Sequence, residues 1–264
     1  MKERMKVKNK FKESKEDKIF GAIVGIALFI LFIIFVYPLY FVIIASFSSS
    51  NQVLLGNVIL LPKDITLTGY QRVFSEPDVW LGYGNSLFYT GVGVTLSLIL
   101  STCAAYPMSR TDFRARGIIT FLYTVTMFFN GGLIPLYLLV KNLNLLNTMW
   151  SFILPTAMSV YNIIVMRTYF NTTIPKELLE ASKIDGCSNI KFMLKIVVPL
   201  SKPILAVMAL FYASSRWNEF YYPLMFVTER NKFPLQVFLR EFLIQAQMTA
   251  DMAGDATISY AQHV

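Results

Sequence analysis

Long stretches of Leu, Ile, Val, Phe and Tyr alternate with short polar clusters, and the long stretches are free of charge. No charged residue occurs between Lys18 and Lys63, between Asp78 and Arg110, between Arg116 and Lys141, or between Lys141 and Arg167. A helix of about 20 apolar residues crosses the hydrocarbon core of a bilayer at roughly 1.5 Å per residue. Each stretch can hold one crossing. The pattern predicts crossings over roughly 19–47, 85–107, 117–140, 149–170 and 196–214, with Pro38, Asn130-Gly131-Gly132, Pro135 and Pro155 inside them. The loop at 48–83 carries turn signals around Pro62 and Pro77, and its Trp80 and Tyr83 suit a membrane interface.

After residue 214 the pattern weakens. Arg216 to Leu224 sets charge beside aromatics, as an interfacial or pore-lining bend would. The segment 232–264 includes Arg240, Glu241, Asp251 and Asp255, so no sixth crossing is predicted. The expected fold is an all-α polytopic transmembrane bundle. Its parts are a basic segment at 1–18, a transmembrane domain at 19–214 with polar helices at about 175–198, and a final segment at 215–264.

Composition sharpens this picture. With 55% hydrophobic residues, 15% charged residues and a mean hydropathy of +0.52, the chain has too little charge to cover a soluble surface. The net charge of +8 could suggest nucleic acid, but its distribution excludes that reading. Eight basic residues precede Phe20, and further clusters lie at 109–116 and 167–202, on alternate connections. The positive-inside rule then puts the N-terminus and these clusters in the cytoplasm. The first apolar run is too long for a signal peptide and closes without a small-residue cleavage site. Cys103 and Cys187 fall in different environments and predict no disulfide. His263, the one histidine, has no ligand partners at metal spacing.

One polar stretch interrupts the apolar chain, PKELLEASKIDGCSN at 175–189, with five charged residues in its first eleven positions. Pro175 suits a first helical turn, and Lys176 to Ile184 are good helix formers, with Leu178, Ala181 and Ser182 toward one side. Asp185-Gly186 supplies a stop, and Ser188 can cap a second helix that continues to Pro199. Two readings fit this helix–turn–helix: an amphipathic loop resting on the inner leaflet, or a rigid knob docking into a cytoplasmic partner.

These residues carry a resemblance. Glu180-Ala181-Ser182, three residues, Gly186, then Ile196 and Val198-Pro199 resemble the EAA signature of bacterial ABC importer permeases, the MetI-like type I transmembrane domain. Ser182 stands for the second Ala of that signature and Val198 for its Leu. Trp217-Asn218-Glu219-Phe220 with Pro223-Leu224 resembles the carbohydrate branch. Asn130-Gly-Gly-Leu-Ile-Pro-Leu136 resembles the subgroup handling oligosaccharides and polysaccharides.

The resemblance implies a coupling helix in which Glu180, Ala181, Ser182, Asp185 and Gly186 meet a cytoplasmic ATPase. It implies as partners a second homologous permease, an ABC ATPase dimer that binds ATP and magnesium, and an extracytoplasmic sugar-binding protein, in a bacterial plasma membrane. This chain itself is expected to hold no cofactor or metal. No G-x-x-x-x-G-K-[ST] phosphate loop occurs and a single histidine allows no catalytic triad, so it is expected to be a non-enzymatic conduit. A sugar path needs hydroxyl-matching groups and stacking faces, for which Asn130, Tyr161, Asn162, Trp217, Asn218 and Glu219 are the candidates. Each could instead serve helix packing. Two other functions stay open at this point: a permease for another solute, and a membrane scaffold or receptor recruiting a cytoplasmic partner. Relatives of this type end with a sixth crossing, so the chain is expected to stop short of it.

Overall fold

The structure is a computed structural model that describes residues 15–262, with side chains described to residue 248. Most of the basic segment at 1–18, together with His263, therefore lies outside the described residues. The chain divides into two compact units, residues 1–75 and 76–264. Each is taken by itself.

The first unit is built on α1 (Lys15–Ser46), a 32-residue helix that is apolar on all faces. Ile19, Phe29 and Phe35 are 61%, 62% and 73% exposed, the surface of a helix that water would not stabilise. The chain then folds back along the end of α1 through two short helices, α2 (Ser50–Leu54) and α3 (Thr68–Ser75). Tyr37 and Tyr40 donate to the carbonyls of Ile59 and Leu60, and the Ser48 hydroxyl accepts from the Lys63 amide at 3.2 Å.

The second unit is organised around α4 (Pro77–Ser109), 33 residues long. Pro77 opens it where a missing N–H costs no hydrogen bond. Trp80 and Tyr83, expected in the preceding loop, are therefore on the helix. Its buried positions include Gly82, Ser86, Gly93, Ser97, Ser101 and Ala105, small residues four or seven apart. They let neighbouring helices approach closely. Those neighbours are α8 (Val160–Thr173), α12 (Lys202–Trp217) and α14 (Leu235–Gln262). At Gly82 the approach is extreme, because an added Cβ would lie 2.7 Å from the Phe238 ring and 3.0 Å from the Leu235 Cα.

The remaining predicted crossings are broken, each for a local reason. The stretch at 117–140 becomes α5 (Arg116–Phe128) and α6 (Leu133–Asn142), bent by 115°. Gly132 there adopts φ 84°, open to glycine at little cost, and its amide donates to Asn130 Oδ1 at 2.9 Å. The stretch at 149–170 divides into α7 (Trp150–Ile153) and α8, because Pro155 has no N–H and Ser159 caps a new start. The stretch at 196–214 bends by 82° at Ser201, between Pro199 and Pro203. Two helices, α1 and α4, are long and apolar enough to cross a membrane, and up to four crossings result if each bent pair is one span. The predicted number of five exceeds this, because α7 and α8 do not combine into a single apolar helix.

In the last segment, where the pattern predicted no crossing, Leu235–Gln262 winds into a 28-residue helix, α14, which is not among the helices long and apolar enough to cross a membrane. Arg230, in the short turn Arg230–Lys232 before it, pairs with Asp78 at 2.7 Å and Glu241 at 3.0 Å, tying α14 to the start of α4.

Candidate functional site

The polar stretch forms α9 (Lys176–Ile184), a tight turn and α10 (Asn189–Phe192), followed by a π turn (Met193–Val197) and α11 (Val198–Leu200). Pro175 sits one position earlier than expected, as the extended residue before α9. The turn has full Schellman geometry. The Cys187 amide donates to the Ser182 carbonyl at 2.9 Å, and the Gly186 amide donates to the Lys183 carbonyl at 3.1 Å. Gly186 supplies the required positive φ of 67°, and the Ser188 hydroxyl accepts from the Lys191 amide at 3.4 Å.

Packing of α9 corrects the predicted face. Leu179 and Ser182 turn inward, Leu179 against the core that includes Phe170, Phe192 and Val197. Leu178 and Ala181 are exposed, and Ile184 is 88% exposed. Leu and Ala at i and i+3 share a helix side, but here that side is free and its neighbouring stripe is buried. Of the five coupling candidates, Glu180, Ala181, Asp185 and Gly186 are therefore presented outward, and Ser182 is buried with its hydroxyl donating to the Leu179 carbonyl at 2.7 Å.

A second feature, missed in the sequence, stands beside α9. Arg110, the residue capping α4, is 8% exposed and forks onto Asp112, Nε to Oδ1 at 2.8 Å and Nη2 to Oδ2 at 2.6 Å. Its Nη1 donates to the Tyr106 hydroxyl. Lys183 Nζ of α9 reaches the same Asp112 Oδ2 at 2.9 Å. Hydrogen bonds from Arg110 first, then Lys183, hold the Asp112 carboxyl well below the usual carboxylate range. Among the described residues no ion pair reaches Glu180, and Lys183, three residues further along the helix, is directed to Asp112.

The six path candidates do not converge on one pocket. They sit at three helix breaks. Asn130 lies in the α5–α6 bend, exposed, bonded to Gly132. Tyr161 and Asn162 occupy the first turn of α8, the tyrosine 57% exposed and the asparagine buried. Trp217 ends α12, and Asn218 and Glu219 lie between it and α13 (Tyr221–Phe226). Asn218 donates to the Ser214 carbonyl at 2.8 Å, and Glu219 Oε1 accepts from the Tyr221 and Tyr222 amides at 3.0 and 3.2 Å. The Trp217 ring meets Tyr83 edge-on at 5.6 Å.

Arg216 completes the α7–α8 break. Its Nη1 donates to the Phe152 carbonyl at 3.0 Å and to the Thr156 hydroxyl, and its Nη2 donates to the Ile153 carbonyl at 2.9 Å. Breaks at membrane depth persist where neighbouring groups take the freed backbone acceptors, and this guanidinium does so. Its place before Trp217 was visible in the sequence, but its partners lie some 60 residues away.

Comparison with known proteins decides the family. Residues 93–261 match the family described as binding-protein-dependent transport system inner membrane component. The chain belongs to this family. It is the multi-pass inner-membrane permease component of an ABC importer and a non-catalytic transport subunit, which works with an ATPase and a binding protein. Among similar proteins, LplC of Bacillus subtilis strain 168 is 39% identical over 215 residues, covering 81% of this permease and 72% of that protein. The polygalacturonan/rhamnogalacturonan transport system permease protein YtcP of the same organism is 37% identical, covering 91% and 82%. A chain in the crystal structure of a bacterial ABC transporter involved in the import of the acidic polysaccharide alginate aligns with a TM-score of 0.81 at 36% identity, covering 87% of this permease and 81% of that chain. The family match extends into α14.

Proposed function

We propose that this permease forms half of the translocation path for an oligosaccharide or a polysaccharide-derived sugar, and that α9–turn–α10 is its joint with the ATPase. The second half is a homologous permease, and the sugar arrives on an extracytoplasmic binding protein. ATP and magnesium are bound by the ATPase dimer. The protein lies in a bacterial plasma membrane with its N-terminus in the cytoplasm.

The observation that carries the coupling role is the outward face of α9. A helix rigidly ended by a Schellman turn presents Leu178, Ala181 and Ile184 beside Glu180, which has no ion pair among the described residues. An apolar stripe flanked by such a carboxylate suits a groove with an apolar floor and a basic rim. Glu180, Ala181, Asp185 and Gly186 touch the ATPase, while Ser182 fixes the helix from inside.

Support for the sugar comes from relatives named for polygalacturonan, rhamnogalacturonan and arabinooligosaccharide transport and from the alginate importer. Broken helices are where transporters place their ligand sites, and all six path candidates lie at such breaks. Asn130, Asn218 and Glu219 already serve backbone groups, so Tyr161, Asn162 and Trp217 are the better sugar contacts. The test is uptake of labelled oligosaccharides into proteoliposomes holding both permeases, the ATPases and the binding protein. Uptake should require ATP, and amino acids or inorganic ions should not replace the sugar. Transport of those solutes with no sugar uptake would refute the assignment.

A further inference from the structure

Asp112 lies outside the signature that marks the joint, yet it connects the joint to the bundle's central helix. Its carboxylate is gripped on both oxygens by Arg110, itself buried against Tyr106 at the end of α4. The fork fixes the carboxylate in direction as well as position. On the other side, Oδ2 receives Lys183 from α9, 71 residues along the chain. Asp112 thus has one partner seated on α4 and one that moves with α9. α4 in turn packs against α8, α12 and α14, so a displacement delivered to its end reaches most of the second unit.

We infer that Asp112 is a positioning residue of the coupling step, a strut that carries movement of α9 into α4 through Lys183. Without it, α9 would remain attached to the bundle through Leu179, Ser182 and its chain connections to α8 and α10. Those contacts set where α9 rests. The ionic strut adds stiffness along the line from Lys183 to Arg110, because a push on α9 compresses a pair whose far end is already seated. An isolated exposed lysine–carboxylate pair would have little such effect, but here the buried fork holds one end of it.

The inference rests on the proposed docking of α9, and the experiment separates the two. The complete importer is reconstituted with Lys183→Met, Asp112→Asn, the double variant, Lys183→Arg and, separately, Glu180→Arg. Lys183 is 52% exposed, so its replacement leaves the core intact. With Lys183→Met or Asp112→Asn the ATPase stays bound and hydrolyses ATP, while sugar moved per ATP falls about three- to tenfold. Lys183→Arg restores the ratio, and the double variant is no worse than Asp112→Asn alone. An unchanged ratio in both single variants, losses that multiply in the double variant, or release of the ATPase by Lys183→Met would each overturn the strut. Glu180→Arg reports on docking alone: retained ATPase with normal uptake would refute the docking reading, whatever the Asp112 variants show.

Discussion

Arg216 crosses α4 at Gly93, where an added Cβ would sit 3.0 Å from its Nε and 3.3 Å from its Cδ. The glycine is the notch through which the guanidinium reaches the Phe152 and Ile153 carbonyls. Gly93→Leu should therefore expel the arginine from its partners. We expect a destabilisation of about 1–3 kcal/mol, the range for overpacking, read as an earlier thermal transition in detergent. Arg216→Met keeps the volume but removes the guanidinium donors from the Ile153 carbonyl and from the Phe152 carbonyl, which keeps the Thr156 hydroxyl at 2.7 Å, and should cost about 1–3 kcal/mol at an intact Gly93. The double variant should cost less than the sum, since both changes remove one interaction.

Gly82 makes the same argument for α14. A methyl added there would sit 2.7 Å from Phe238 Cδ2 and 3.0 Å from the Leu235 backbone, so Gly82→Ala forces α14 away from α4. The expected loss is about 1–3 kcal/mol, with α14 becoming more accessible to protease or hydrogen exchange than the α4–α8 contact. Gly84, which has open space around it, should accept alanine without either effect.

How much of this was legible in the sequence depended on the range of the interaction. The α9–α10 turn was readable because Pro175, Gly186 and Ser188 act on backbone groups within five residues of themselves. The outward face of α9 was not, since a short helix with Leu178, Leu179, Ala181 and Ile184 has apolar residues on several sides and only the bundle selects one. The helix breaks were marked by Gly132, Pro155 and Pro203, but whether each bends or divides a crossing depends on partners such as Arg216. Lys183 stood out in the sequence only as a helical neighbour of Glu180. Its actual partner, Asp112, is distant in sequence, and no local pattern announces it.

Asp112 makes a prediction about acid. Its carboxyl titrates below the unfolded value, so the stability it contributes is fully present above an ordinary carboxylate pKa of about 4 and is lost as pH falls through its lower folded value. The difference in melting temperature between wild type and Asp112→Asn should be flat from neutral pH down to about 5 and shrink below about 4. A difference that collapsed between roughly pH 7 and pH 5 would mean that another group controls the link.

Gly186 tests the shape of the joint. At φ 67° an L side chain is strained, so Gly186→Ala should cost about 1 kcal/mol even though the space around it is open. Gly186→Asn, which tolerates this conformation better, should recover part of the loss. Thermal melting checks the stability, and ATP-driven uptake should follow the same order.

The most direct test of the account is co-purification of the ATPase with permease carrying Glu180→Arg, in membranes where the second permease and both ATPase subunits are co-expressed. Glu180 is exposed and among the described residues has no ion pair, so the substitution should leave the permease folded and its melting temperature unchanged. The wild-type permease should retain the ATPase, and the variant should lose it together with sugar uptake. Full retention of the ATPase with undiminished uptake would contradict the claim that α9 is the joint.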